Sequence, residues 1–222
     1  MRFWPCESAT TPGRELTRPL FTLQDWTVGE RHEVLGSALT IPLSSKPAEG
    51  DKLNITVSYA TSPSSSALGW LSAEQTKGGA HPYLYSQSQA IHGRSLIPSQ
   101  DTPGVKATYT ASIRSTLPVL MSARRVSPAP SATHEVGKSV VYTYQQDVAI
   151  PSYLVAIASG NLAHRAFAEP EGKSWRTGTW TEPEALDAVH WEFSADTNKR
   201  VSTAALRAGP SSTDHELPAQ VH

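Results

Sequence analysis

The chain alternates apolar and polar residues over most of its middle, which is the two-residue period of strands rather than the 3.6-residue period of helices. In Lys52 to Tyr59, Leu53, Ile55, Val57 and Tyr59 fall on one face, and Lys52, Asn54, Thr56 and Ser58 on the other. The same pattern runs through Val105 to Ile113, with Val105, Ala107, Tyr109, Ala111 and Ile113 opposite Lys106, Thr108, Thr110 and Ser112. Before it, Thr102-Pro103-Gly104-Val105 predicts a type II turn, with Pro presetting the first central torsion and Gly accepting a positive φ. Further strands are expected at Leu117 to Ala123, Val140 to Gln146 and Tyr153 to Ser159, the last an apolar run suited to burial on both faces. Helix enters late. Thr181 and Glu184 form a capping-box pattern around Pro183, and Leu186, Val189 and Phe193 recur at helical spacing, predicting a helix over 182–195. A shorter helical turn is expected within Ser66 to Gln75, weakened by Gly69.

These patterns divide the chain into three regions. Residues 1–25, interrupted by Pro5, Pro12, Gly13 and Pro19, read as an irregular arm. Residues 26–198 read as one mostly β domain. Residues 199–222 lack a period and read as a disordered tail. No internal repeat is present to suggest a solenoid or propeller.

Composition narrows the function classes. With 19 Lys and Arg against 20 Asp and Glu, the net charge of −1 removes the electrostatic case for a nucleic-acid partner. No apolar run approaches the roughly 18 residues of a membrane span, and Met1 to Thr10 holds no apolar block of a secretory signal. The single cysteine, Cys6, forbids an internal disulfide framework, and a cytoplasmic location is expected.

Zinc is the first chemistry to test in a chain with eight histidines. A helical metallopeptidase site needs two histidines four residues apart with a glutamate beside the first. His134-Glu135-Val136-Gly137-Lys138 ends in lysine, and His215-Glu216-Leu217-Pro218-Ala219 ends in alanine and contains a helix-breaking proline, so neither qualifies. The scattered His32, His81, His92, His164 and His190 read as surface or hydrogen-bonded core residues. No serine sits in a Gly-x-Ser-x-Gly elbow, and no phosphate-binding loop or dinucleotide fingerprint is found. Asn54-Ile55-Thr56 matches a glycosylation acceptor but lies within an expected strand.

The segment from His81 to Asp101 is dense in neutral amides, with Gln87, Gln89 and Gln100 among aromatic residues, His81, His92 and Arg94. Two residues apart in extended chain, the amides of Gln87 and Gln89 project to one side, where each could donate to and accept from a peptide backbone. On the residues alone, the plainer role of satisfying neighbouring loop backbone is favoured.

Ordered blocks then carry a resemblance. Thr61-Ser62-Pro63-Ser64-Ser65-Ser66-Ala67-Leu68-Gly69-Trp70-Leu71, Glu74-Gln75-Thr76, Tyr83-Leu84-Tyr85-Ser86-Gln87-Ser88-Gln89-Ala90-Ile91-His92 and Gln100-Asp101-Thr102-Pro103 resemble the amino-terminal domain of the leukotriene A-4 hydrolase and leucine aminopeptidase group of the peptidase M1 family. The likeness continues through Val105 to Thr110, Ile150-Pro151-Ser152-Tyr153-Leu154, Trp180-Thr181-Glu182 and Glu192-Phe193-Ser194, spanning roughly Val28 to Asn198. It implies a mostly β, antiparallel, saddle-like sandwich, incomplete at its start, with one late α-helix that begins the linker toward a zinc-bearing catalytic domain. The family activity it implies is removal of amino-terminal residues from peptides, with epoxide hydrolysis a further possibility.

The resemblance also implies that Gln87, Ser88, Gln89 and Ala90 contact the amino-terminal part of a peptide substrate, which reverses the plainer reading of the two glutamines. The family's Gly-x-Met-Glu-Asn and HExxH motifs are absent from this sequence, where Met121 is followed by Ser122, so no catalytic or metal residue is assigned. Zinc is expected in the full-length family and no cofactor in this chain. The expectation is a domain truncated before the catalytic one and inactive alone; the alternative is a non-catalytic β-sheet peptide-binding module. Neither nucleic acid nor membrane is an expected partner.

Overall fold

The computed structural model describes residues 27–43, 48–50, 52–129, 132, 134–168, 172, 175–208 and 219–220. Among the described residues the chain divides into two compact units, with the boundary between Ser58 and Tyr59. The irregular arm expected over 1–25 lies outside the described residues.

In the first unit, β1 (Thr27–Val28) and β2 (Leu39–Thr40) pair antiparallel. Between them the chain reverses at a His32–Gly36 bridge, where Gly36 takes a φ of 74° and the His32 Nδ1 accepts the amides of Val34 and Leu35. The strand expected over Lys52 to Tyr59 is not formed. Its alternation is real, but a strand exists only through pairing with a neighbour, and none of the described strands pairs with it. Leu53, Ile55 and Tyr59 are accordingly exposed, Ile55 to 53%, and Val57 is half-buried.

Among its described residues the second unit holds ten strands and one α-helix. β3 (Leu68–Leu71), β4 (Tyr83–Ser86), β6 (Val119–Met121) and β9 (Ile157–Ser159) make one antiparallel sheet in the order β3-β4-β9-β6. β5 (Lys106–Ser115), β7 (Arg124–Ser127) and β8 (Val140–Pro151) make a second in the order β5-β8-β7. β10 (Ala163–Ala166) pairs antiparallel with β11 (Thr177–Thr181), and β12 (Ala219–Gln220) joins β11 in parallel. The mostly β fold with antiparallel sheets and one late helix matches the sequence reading.

One core joins the first two sheets. Ile113 of β5 and Tyr142 and Tyr144 of β8 meet Val119 and Met121 of β6 and Ile157 of β9, with Ala67, Leu96 and Ala123 closing the edges. The predicted alternation is visible in β5 as half-buried Tyr109 and Ala111 leading to buried Ile113, while Thr108, Thr110 and Ser112 are exposed. Both tyrosines of β8 are 1% exposed, and each such aromatic contributes about 1.5–3 kcal/mol by its burial. Their hydroxyls are satisfied: Tyr144 donates to the Val119 carbonyl and Tyr142 shares a hydrogen bond with His134 Nδ1. Burial pushes the Tyr144 phenol well above its ordinary value, against the opposing pull of Arg125. In β9, Ile157, Ala158 and Ser159 are all buried, as expected of a strand covered on both faces.

Other expectations require correction. The turn before β5 closes through the Val105 amide and the Thr102 carbonyl at 3.1 Å, but Gly104 does not take the positive φ of a type II turn. The strand expected from Leu117 shortens to Val119–Met121, and that from Tyr153 begins only at Ile157, because Ser152–Leu154 closes a 3-10 turn. The helical turn near Ser66 is confined to Ala73–Gln75, since Leu68–Leu71 is drawn into the sheet by β4. There the Ser72 amide donates to the Gln75 side chain, half of a capping box.

The late helix also differs. Thr181 is held in the β11 ladder opposite Ala163, so the capping position falls to Glu182; a 3-10 turn at Pro183–Ala185 leads into α1 (Leu186–Ala208). The helix therefore runs thirteen residues past the expected Ala195, into the segment read as a disordered tail. The sequence there, Lys199 to Ala208, is rich in Ala, Lys, Arg and Leu and reaches Gly209-Pro210 before meeting a breaker, so intrinsic propensity sustains helix where an apolar period does not. Beyond Ala208, only Ala219–Gln220 of the tail lies within the described residues.

Candidate functional site

Gln87, Ser88, Gln89 and Ala90 follow directly from β4. The ladder between β3 and β4 carries one residue past the strand, the Gln87 amide donating to the Ala67 carbonyl at 2.8 Å. Ser88 is 2% exposed, its hydroxyl 3.4 Å from the Val155 carbonyl, whereas Gln87, Gln89 and Ala90 are exposed. The Gln89–Ala90 peptide is cis. The chain then turns, the His92 amide closing on the Ser88 carbonyl at 2.9 Å, and enters a 3-10 turn at Gly93–Ser95. The two glutamines thus flank a buried anchor. Part of the plainer reading also holds, because the Gln87 side-chain oxygen accepts the Gln89 amide at 3.2 Å.

The same face of the sheet continues this surface. Tyr83 and Tyr85 precede Gln87 at two-residue spacing, their rings stacked with centroids 6.0 Å apart. Gly69 stands directly opposite Tyr85 in the ladder, and a Cβ there would lie 2.3 Å from the tyrosine ring, so the glycine admits the ring across the strand. Burial raises the Tyr83 phenol, and the Glu182 carboxylate adds to the effect. Glu182 itself caps a loop, accepting the amides of Lys77 at 2.9 Å and Gly78 at 3.3 Å.

Behind the segment lies a group that sequence reasoning missed. Asp101, whose side chain is 1% exposed, accepts the Arg94 amide and the Arg94 Nε on Oδ2, each at 3.0 Å, and the Ser152 hydroxyl on Oδ1 at 2.6 Å. The Arg94 Nη2 returns to the Asp101 carbonyl at 3.2 Å. Burial would raise this carboxyl, but the hydrogen bonds from Ser152 and Arg94 and the guanidinium charge outweigh it and hold it below its ordinary 3.8. Arg94 and Asp101 are only seven residues apart, but Ser152 lies fifty-one further on, and only the tertiary fold brings it in. A second tie holds the turn from the other side, where Ser66 shares a hydrogen bond of 2.8 Å with His92 Nδ1.

Three further histidines among the described residues are used structurally. His134 Nε2 lies 3.0 Å from the Thr116 carbonyl, His164 packs on Trp180 with ring centroids 4.7 Å apart, and His190 meets Phe167 edge-on. Among the described residues, no three His, Cys, Asp or Glu side chains group into a metal-holding cluster, so the described residues do not fit a zinc centre. No helix among the described residues is long and apolar enough to cross a membrane.

The model of the peptidase M1 N-terminal domain matches residues 23–154, more than half of the chain. The chain belongs to this family. Among curated relatives, leucine aminopeptidase 2 of Yarrowia lipolytica is 42% identical over 180 residues, and that of Saccharomyces cerevisiae 41% identical over 180. The match covers 81% of this chain but 26% of the Yarrowia protein and 24% of the Saccharomyces one. The solved structure of native yeast LTA4 hydrolase is similar with a TM-score of 0.63 at 39% identity, covering 81% of this chain and 26% of that one. The structure of the yeast enzyme in complex with bestatin is similar with a TM-score of 0.62 at 40% identity. The peptidase M1 resemblance carried by the ordered sequence blocks is thereby established, and this chain spans about a quarter of the length of the relatives it matches.

Proposed function

We propose that this chain is the amino-terminal β domain of an aminopeptidase that removes residues from the amino-terminal end of peptides. In this reading it supplies a wall for the substrate rather than the groups that break the bond. The observation that carries the reading is the placement of Gln87 and Gln89, exposed on either side of buried Ser88 in a turn tied down at both ends. Neutral amides in that setting can donate to and accept from a peptide backbone without imposing a charge preference on its side chains. The name leucine aminopeptidase 2, carried by the curated relatives, supports a peptide substrate, and bestatin is bound by the yeast LTA4 hydrolase. Zinc, the family's expected metal, has no fitting residue set among those described here, and no step of catalysis is assigned to this chain.

The test is a chimaera in which residues 27–198 replace the matching part of the Yarrowia leucine aminopeptidase 2, assayed on leucyl peptides. An active chimaera whose kcat/KM falls about tenfold in Gln87→Ala or Gln89→Ala, the loss expected of one hydrogen bond worth about 1–1.5 kcal/mol, supports the reading. Equal activity with both glutamines removed overturns the assignment of the segment. Hydrolysis of leucyl substrates by the isolated chain overturns the division of labour.

A further inference from the structure

We propose that Asp101 is a positioning residue: through Arg94 and Ser152 its carboxylate fixes the turn that presents Gln87 and Gln89 to a peptide. This inference rests on the functional reading above and adds to it the device that sets the geometry of the segment.

The argument begins from what the turn lacks. Gln87 to Ile91 is not itself held in a ladder on both sides; its first residue is fixed by the Ala67 carbonyl, and its far end depends on His92 and the 3-10 turn that follows. That 3-10 turn has no side-chain cap of its own. Asp101 supplies the missing restraint from outside, taking the Arg94 amide within the turn and the Arg94 side chain on the same oxygen. Its other oxygen takes the hydroxyl of Ser152, the first residue of the 3-10 turn after β8. That second turn ends at Val155, whose carbonyl faces the Ser88 hydroxyl. One buried carboxylate therefore ties the end of the candidate segment to the same short element that seats its central anchor.

Two further observations show a site built around this group. Asp101 adopts a φ of 33°, in the left-handed region that non-glycine residues seldom occupy, Asp and Asn being the usual exceptions. Gly93 lies so close that a Cβ on it would stand 2.8 Å from Asp101 Oδ1. An Asn at 101 tolerates the same backbone conformation, but it places an amide NH2 where two acceptor oxygens are needed, so Asp101→Asn tests the carboxylate rather than the backbone.

The experiment uses the full chain, labelled for NMR, in wild-type, Asp101→Asn and Ser152→Ala forms. Amide hydrogen exchange is read at His92 and Arg94, with Ala111 and Ile113 of the β5–β8 ladder as internal reference. The expected result is exchange at least tenfold faster at His92 and Arg94 in Asp101→Asn, a smaller increase at the same amides in Ser152→Ala, and no change in the ladder. Exchange at His92 within twofold of wild type, or equal acceleration everywhere, overturns the proposal. Ser152→Ala removes one hydrogen bond and keeps the inference testable if Asp101→Asn fails to fold.

Leucylglycylglycine is then titrated against each form, following the side-chain NH2 signals of Gln87 and Gln89. A wild-type response that weakens at least fivefold in Asp101→Asn supports both readings, and an undiminished response in that variant overturns the positioning role. A wild-type chain that gives no response counts against the peptide reading alone, and the exchange measurement decides the clamp independently.

Discussion

At Gly93 the space for a side chain is already taken, with Asp101 Oδ1 at 2.8 Å and Ser152 Cβ at 3.3 Å from where a Cβ would be. Neither neighbour can retreat without giving up a hydrogen bond to the other. Gly93→Ala is therefore expected to destabilise the fold by about 1–3 kcal/mol, measured as a lower denaturant midpoint at unchanged slope. A midpoint equal to wild type would show that the clamp yields freely. His164 makes a second prediction at this scale. Burial and the Arg125 charge lower its pKa from the ordinary 6.5, so the folded state prefers the neutral ring. The unfolded chain then binds more protons, and the stability this group contributes is complete above pH 6.5 and is lost as pH falls below it. Asp101, also lowered, contributes stability that is present above pH 3.8 and is lost further into acid. Thermal melts from pH 7 to pH 3 should fall in two stages, with His164→Gln flattening the upper stage and Asp101→Asn the lower. A single stage unaltered by either substitution would refute this.

Among the elements, β8 does most to join the two larger sheets. Tyr142 and Tyr144 reach from it into the shared core, and the Tyr144 hydroxyl meets the Val119 carbonyl of β6 in the opposite sheet. Tyr144→Phe keeps the ring and removes the hydroxyl, leaving a buried carbonyl unpaired at a cost of about 1–3 kcal/mol, to be read from chemical denaturation. A neutral result would assign the whole contribution of Tyr144 to its ring. In α1, the stretch after Asn198 stands on propensity more than on packing, and Ala204 is exposed. Ala204→Gly should cost the helix about 1 kcal/mol, visible as faster amide exchange from Arg200 to Ala208 with the β5–β8 ladder unchanged. The predicted helix fell short at its carboxyl-terminal end because the apolar period fades after Phe193 while helix formers continue, and periodicity reports packing rather than propensity.

For the molecule as a whole, the most regular strand pattern in the sequence forms no strand. Ile55, central to Lys52–Tyr59, is 53% exposed. Read from its pattern as a core position, Ile55→Lys would cost several kcal/mol; read from the structure, it should change stability by less than about 0.5 kcal/mol. Thermal denaturation of that variant separates the two, and a large loss would show that the segment finds a covering partner in solution.

Much of the fold was legible locally. Strict alternation located β5, the apolar run located β9, and Pro183 with Glu184 marked the start of the late helix, since these signals act within a few residues of one another. The candidate segment was singled out by its amide density and by the family resemblance, whereas the extended geometry expected of Gln87 and Gln89 gives way to a turn at Gln89. Short strands such as β3, β4, β7, β10 and β11 carry too few residues to show a period, and their existence depends on which neighbour offers a ladder. What only tertiary structure decided is the support behind the site: a carboxylate at 101 gives no sign in sequence of a hydroxyl at 152. Backbone preference and side-chain alternation are local and written in order along the chain, whereas pairing and buried charge are settled by whatever the folded chain brings within hydrogen-bonding distance.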